Sequence, residues 1–92
     1  MNTEEISVVE NAIESRFEAQ LDGHLAVAEY RVEGDRMIFT HTEVPPAFRG
    51  RGIAEKLVLA GFRTARDRKL KIVPLCSYVA VVLQRHPEFA AK

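Results

Sequence analysis

Between Val44 and Ala54 the chain reads Val-Pro-Pro-Ala-Phe-Arg-Gly-Arg-Gly-Ile-Ala, with prolines, glycines and two arginines crowded just ahead of a long helical pattern. The proline pair ends an extended segment, because proline lacks an N–H and biases the residue before it toward β geometry. Gly50 and Gly52 allow a tight turn and a close approach of the backbone to a ligand. A helix starting near Gly52 or Ile53 aims unpaired N–H groups and the positive end of its dipole at that spot, which suits a phosphate. Arg49 and Arg51 add guanidinium forks that match phosphate oxygens. The plainer alternative is an ordinary strand-to-helix connection in which the glycines only make the turn and the arginines are solvated.

Cys76 follows a short apolar run and precedes a second helical pattern, where helix amides and dipole would stabilise a thiolate. The competing reading is a small buried hydrophobe. His41 and Glu43 lie two residues apart on a strand pattern. A histidine with an ordinary pKa of about 6.5 can take a proton from an ammonium, and a glutamate can hold a water that does the same. Each can equally be structural, His41 as a hydrogen-bonded histidine and Glu43 as a solvated carboxylate at a strand end. Tyr78 can stack, hydrogen-bond a ligand or pack in the core, and the sequence does not separate these. His24 and His86 receive no role, and three scattered histidines with one cysteine make no zinc pattern, so no metal is expected.

The elements that must position these groups follow from periodicity. Val8 to Asn11 is a first strand or the approach to one, after a polar lead-in over residues 1–7. Phe17, Ala19 and Leu21 alternate with polar residues at the period of a half-buried strand, and Asp22-Gly23 marks a hairpin turn. His24 to Val32 has apolar residues in both alternating sets, which predicts a central strand covered on both faces. Glu33-Gly34-Asp35 turns the chain again into Arg36 to Val44. Simple alternation there puts Met37, Phe39, His41 and Glu43 on one face and Ile38, Thr40, Thr42 and Val44 on the other. Two such tight turns imply an antiparallel meander.

Beyond the glycines, Ile53, Leu57, Val58, Gly61, Phe62 and Ala65 recur at helical spacing to about Arg68. Leu70 to Leu75 is a short strand that, coming after a helix, should run parallel to an earlier one. Ser77 is the expected N-cap of a last helix with an apolar stripe of Val79, Val82 and Leu83, closed by Pro87, with Phe89 anchoring the tail. The class is α+β, or mixed α/β: meander, loop, helix, strand, helix.

Composition narrows what such a chain does. Its 92 residues suit one domain over residues 1–92, small enough that dimerisation would be unsurprising. A net charge of zero gives no global attraction to nucleic acid or acidic membranes, so an anion would have to be held locally. The one cysteine excludes an intrachain disulfide and fits a reducing, cytoplasmic setting. No apolar run reaches membrane-spanning length, and the start Met-Asn-Thr-Glu-Glu is unlike a signal peptide.

Taken together, the strand ending in Val-Pro-Pro-Ala-Phe and the segment Arg49-Gly50-Arg51-Gly52-Ile53-Ala54 opening a helix resemble the acetyl-CoA pyrophosphate loop of the GNAT superfamily of N-acetyltransferases. That loop reads Gln/Arg-x-x-Gly-x-Gly/Ala, with Arg49, Gly52 and Ala54 at its defined positions. His41-Thr42-Glu43-Val44-Pro45 and Pro74-Leu75-Cys76-Ser77-Tyr78-Val79 extend the resemblance to the short, single-domain YjdJ-type branch, over about residues 15–89. The resemblance implies a GNAT-like fold and acetyl-CoA as cosubstrate for acetylation of an amine acceptor, a small molecule or a protein lysine. It implies pyrophosphate on the amides of Gly50, Arg51, Gly52, Ile53 and Ala54. The pantetheine arm would pair with backbone from Thr42 to Val44, and the thioester would lie near Cys76. Compared with fuller members the chain looks truncated at its C-terminus, without the last hairpin. Leu83 and Gln84 stand where a proton-donating tyrosine often occurs. A second subunit or partner would then complete the acceptor side, and a CoA-binding module with a sensing or regulatory role and little turnover is the alternative function.

Overall fold

The structure, a computed structural model, describes residues 6–48, 50 and 52–90. Five strands form one sheet: β1 (Val8–Asn11), β2 (Arg16–Leu21), β3 (His24–Glu33), β4 (Arg36–Glu43) and β5 (Lys71–Pro74). Their spatial order is their chain order; β1 to β4 are antiparallel neighbours, and β5 runs parallel to β4. The β2–β3 turn has positive φ at both Asp22 (51°) and Gly23 (79°), the type I′ geometry that matches strand twist. Helix α1 (Ile53–Asp67) joins β4 to β5, and α2 (Ser77–Arg85) follows β5. The expected meander, long helix, parallel strand and last helix are all present.

Both helices pack on one face of the sheet. The apolar stripe read from the sequence is the buried face of α1: Ile53, Leu57, Val58, Gly61, Phe62 and Ala65. It meets Phe17, Ala19, Ala26, Ala28, Tyr30, Met37 and Phe39 from the strands, with Val79 and Val82 of α2 in the same cluster. Phe89 anchors the tail as expected, its ring centroid 5.5 Å from that of Phe62 with the Arg66 guanidinium 4.8 Å above it. Ile6 is buried in this core too, so the lead-in is not wholly polar filler, and Lys56 Nζ donates to its carbonyl.

Three expectations are corrected. β3 is central, but only its Ala26, Ala28 and Tyr30 face is covered by helices. On the other face Leu25 is exposed, while Val27 is buried opposite Glu18 and Glu43, and Ile38 opposite Arg31. The stems of charged neighbours can cover such residues without a second layer. Second, strict alternation along β4 fails. Tyr30 pairs with Phe39 but Glu29 pairs with His41, so Thr40 is the extra residue of a β-bulge. The bulge turns Thr42 to the helix-covered face, opposite Ala28, and sends His41 and Glu43 to the open face, opposite Glu29 and Val27. Third, the N-cap of α2 is Cys76, in extended geometry (φ −72°, ψ 131°), and Ser77 is the first helical residue.

Candidate active site

The β4–β5 ladder ends at Phe39 and Pro74, whereas β4 continues to Glu43. At the point of divergence the N–H groups of Leu75 and Cys76 both donate to the Phe39 carbonyl, each at 3.1 Å. Beyond it the β4 edge over residues 40–43 has no β5 residue opposite, leaving a wedge into which an extended ligand could pair as an added strand.

At the mouth of the wedge the chain passes through a 3-10 turn (Pro46–Phe48) whose Phe48 is buried, fixing the start of the glycine segment. Gly50 and Gly52 have φ of 79° and 71°, left-handed conformations that side-chain-bearing residues adopt at a cost. Gly52 is the N-cap of α1 and offers no side-chain acceptor to its first turn. Among the described residues the first helical bond is Lys56 N–H to the Gly52 carbonyl at 3.0 Å, and the opening amides of a helix, which have no intrahelical acceptor, are those that suit an anion. These residues line a cavity of about 250 Å³ with Val44, Phe48, Ile53, Ala54 and Tyr78. Arg49 and Arg51 lie outside the described residues.

Glu55, in the first turn of α1, would oppose an anion there, but its carboxylate is engaged elsewhere. His86 Nε2 lies 2.8 Å from one oxygen and Arg85 Nη1 donates to the other at 3.1 Å. The His86 hydrogen bond, aided by Arg85, holds the carboxyl below its ordinary range despite partial burial. Local sequence pattern carries no sign of this link, because it joins the first turn of one helix to the end of another.

Cys76 caps α2 at the inner end of the wedge, half-buried, with its Sγ 3.6 Å from Thr42 Oγ1. Burial pushes the thiol up, but the Val79 amide, the Thr42 hydroxyl and the amides of Tyr78 and Thr42 outweigh it, and the pKa falls below the ordinary thiol value. No side-chain cap bond joins the sulfur to α2, so the lowering is shared among several donors from α2 and β4. Thus Thr42 and Cys76, 34 residues apart, meet. His41 and Glu43 meet each other, Nε2 to Oε1 at 3.7 Å, on the open face with side chains 56% and 74% exposed. The catalytic candidates therefore fall on two sides of β4. Among the described residues no group of three or more His, Cys, Asp or Glu could hold a metal ion, and no helix is long and apolar enough to cross a membrane.

Known proteins resemble this chain in sequence and in fold. A family model described as GCN5-related N-acetyltransferase matches residues 16–92. Protein NATD1 of Mus musculus is 36% identical over 75 residues, covering 78% of this chain and 68% of that protein. Protein NATD1 of Homo sapiens is also 36% identical, with 78% and 66% covered. The NMR solution structure of a GCN5-like protein from Staphylococcus aureus superposes with a TM-score of 0.71 at 28% identity, covering 90% of this chain and 82% of that one. Fold and sequence converge: the chain belongs to the GCN5-related N-acetyltransferase family.

Proposed function

We propose that this domain binds acetyl-CoA along the β4–β5 wedge and transfers its acetyl group to a primary amine, on a small molecule or a protein lysine. The observation that carries this reading is the uncapped N-terminus of α1 opening into a cavity at the mouth of the wedge. The amides of Gly50, Gly52, Ile53 and Ala54, with that of Arg51, receive the pyrophosphate. Arg49 and Arg51 are the cations the sequence supplies beside them. Backbone from Thr42 to Val44 pairs with the pantetheine arm, which brings the thioester toward Cys76.

In direct transfer the amine loses its proton, its lone pair attacks the thioester carbonyl, the C–N bond forms and the C–S bond breaks, and the departing CoA thiolate takes a proton. His41 and Glu43, on the open face beside the wedge, are the candidate bases for the ammonium. The lowered pKa of Cys76 also supports a covalent route, in which its thiolate attacks the thioester and expels CoA as a thiolate that takes a proton; the deprotonated amine then attacks the acetyl-cysteine, forming the C–N bond and releasing the Cys76 thiolate. Cys76→Ala separates the two: the direct route predicts retained turnover, and the covalent route predicts loss of turnover with CoA binding intact.

The separation of His41 and Glu43 from Cys76 across β4 favours a second reading, a CoA-binding module with little turnover. Titration with CoA, acetyl-CoA and ATP tests the shared part, since failure to bind either CoA form sinks both readings. CoA release measured against a panel of amines, polyamines and lysine peptides then divides them, and binding without release selects the module.

A further inference from the structure

The cavity at the α1 N-terminus is lined by backbone and by apolar side chains with one exception. Val44, Phe48, Ile53 and Ala54 contribute no side-chain donor and the glycines have no side chain, so among the described residues Tyr78 brings the cavity's one polar side chain. It is the second residue of α2, half-buried, and its hydroxyl has no hydrogen-bond partner among the described residues. Among the described residues no buried side-chain oxygen lacks a partner, so the phenol oxygen faces solvent and can exchange water for a ligand acceptor. From the geometry we infer that Tyr78 donates a hydrogen bond to the diphosphate of CoA held by the α1 amides, so that α2 as well as α1 reads the phosphorylated half of the cofactor. The inference rests on the CoA reading above and adds a side-chain ligand from the other helix.

The phenol is in the state this role needs. Burial, and then the nearby Glu55 carboxylate, raise its pKa above the ordinary value, with Arg85 opposing; the hydroxyl remains a protonated donor at neutral pH. Cys76 lies two residues earlier at the cap of α2.

Tyr78→Phe keeps the ring and the cavity wall and removes only the hydroxyl. The expected result is a CoA Kd raised about tenfold, the scale of one hydrogen bond to a charged acceptor. In ³¹P spectra at saturating CoA, the diphosphate resonances should shift between the two proteins while the 3′-phosphate resonance stays in place. An unchanged Kd, or a spectral change confined to the 3′-phosphate, would overturn the inference. Loss of CoA binding by the unsubstituted protein would instead overturn the parent reading, so the two failures are distinguishable. Matching thermal melts of both proteins check that folding is not the cause.

Discussion

At the scale of single residues, a group that joins three elements lies away from the wedge. Glu10 of β1 accepts from the Tyr30 hydroxyl of β3 and from both terminal nitrogens of Arg68, the C-cap of α1, at 3.1 and 2.6 Å. Burial pushes the Glu10 carboxyl up, but the hydrogen bonds from Arg68 and Tyr30 outweigh it and its pKa is lowered. Burial and the bond to Glu10 push the Tyr30 phenol up to about 12. The signs are opposite. The lowered carboxyl stabilises the fold above the ordinary carboxylate range, and that contribution is lost as pH falls through its folded pKa. The raised phenol stabilises below pH about 10, and its contribution is lost as pH climbs toward 12. Urea midpoints measured from pH 3 to 12 should therefore decline at both ends. Glu10→Gln should flatten both limbs, and an unaltered acid limb would show that Glu18 and Glu55, whose pKa values are also lowered, govern acid stability instead.

At the scale of elements, the approach of α1 to the sheet depends on Gly61. A Cβ there would sit 2.6 and 2.9 Å from two ring atoms of Phe39 and 3.3 Å from one of Phe17. Phe39 is fully buried and edge-packed on Phe62 at 5.5 Å between centroids, so its ring has no room to yield. Gly61→Ala should gain up to about 1 kcal/mol of helix propensity and lose about 1–3 kcal/mol to overpacking. With the full propensity gain the net expectation is destabilisation of about 0–2 kcal/mol in chemical unfolding, and a stabilised variant would show that helix and sheet can separate at no cost. The sequence marked Gly61 as part of the stripe but gave no hint of what it faces, because spacing reports direction and not distance.

The same limit explains what was legible elsewhere. The stripe of α1 and the Asp22-Gly23 turn rest on local period and turn chemistry and stand where they were read, and the strand before the glycines ends one residue early, at Glu43. The faces of His41, Thr42 and Glu43 did not follow from local rules. A bulge is written in hydrogen bonds to a neighbouring strand, and nothing about Thr40 itself announces it. The open face of β3 was equally hidden, since two apolar sets signal two layers unless long charged stems provide the cover. Cys76 and the glycine segment were visible as chemistry, but the Thr42 contact and the Glu55–His86 link bridge 34 and 31 positions, and such pairings appear only after folding.

For the molecule as a whole, strand order has a kinetic consequence. Because β1 to β4 pair with their immediate successors, that portion can zip by short loop closures, whereas β5 reaches β4 only after α1 has formed and docked. The wedge, the uncapped helix start and the Cys76 cap all depend on that later step. In refolding followed by stopped flow, sheet ellipticity should rise ahead of the proposed capture of CoA; simultaneous appearance of the two signals would mean that meander and crossover fold as one unit. If they separate, the nascent chain passes through a state with its meander in place and no cofactor cleft. With CoA bound as proposed, a pool of CoA would then act on folding as a late clamp, slowing unfolding without speeding the first collapse.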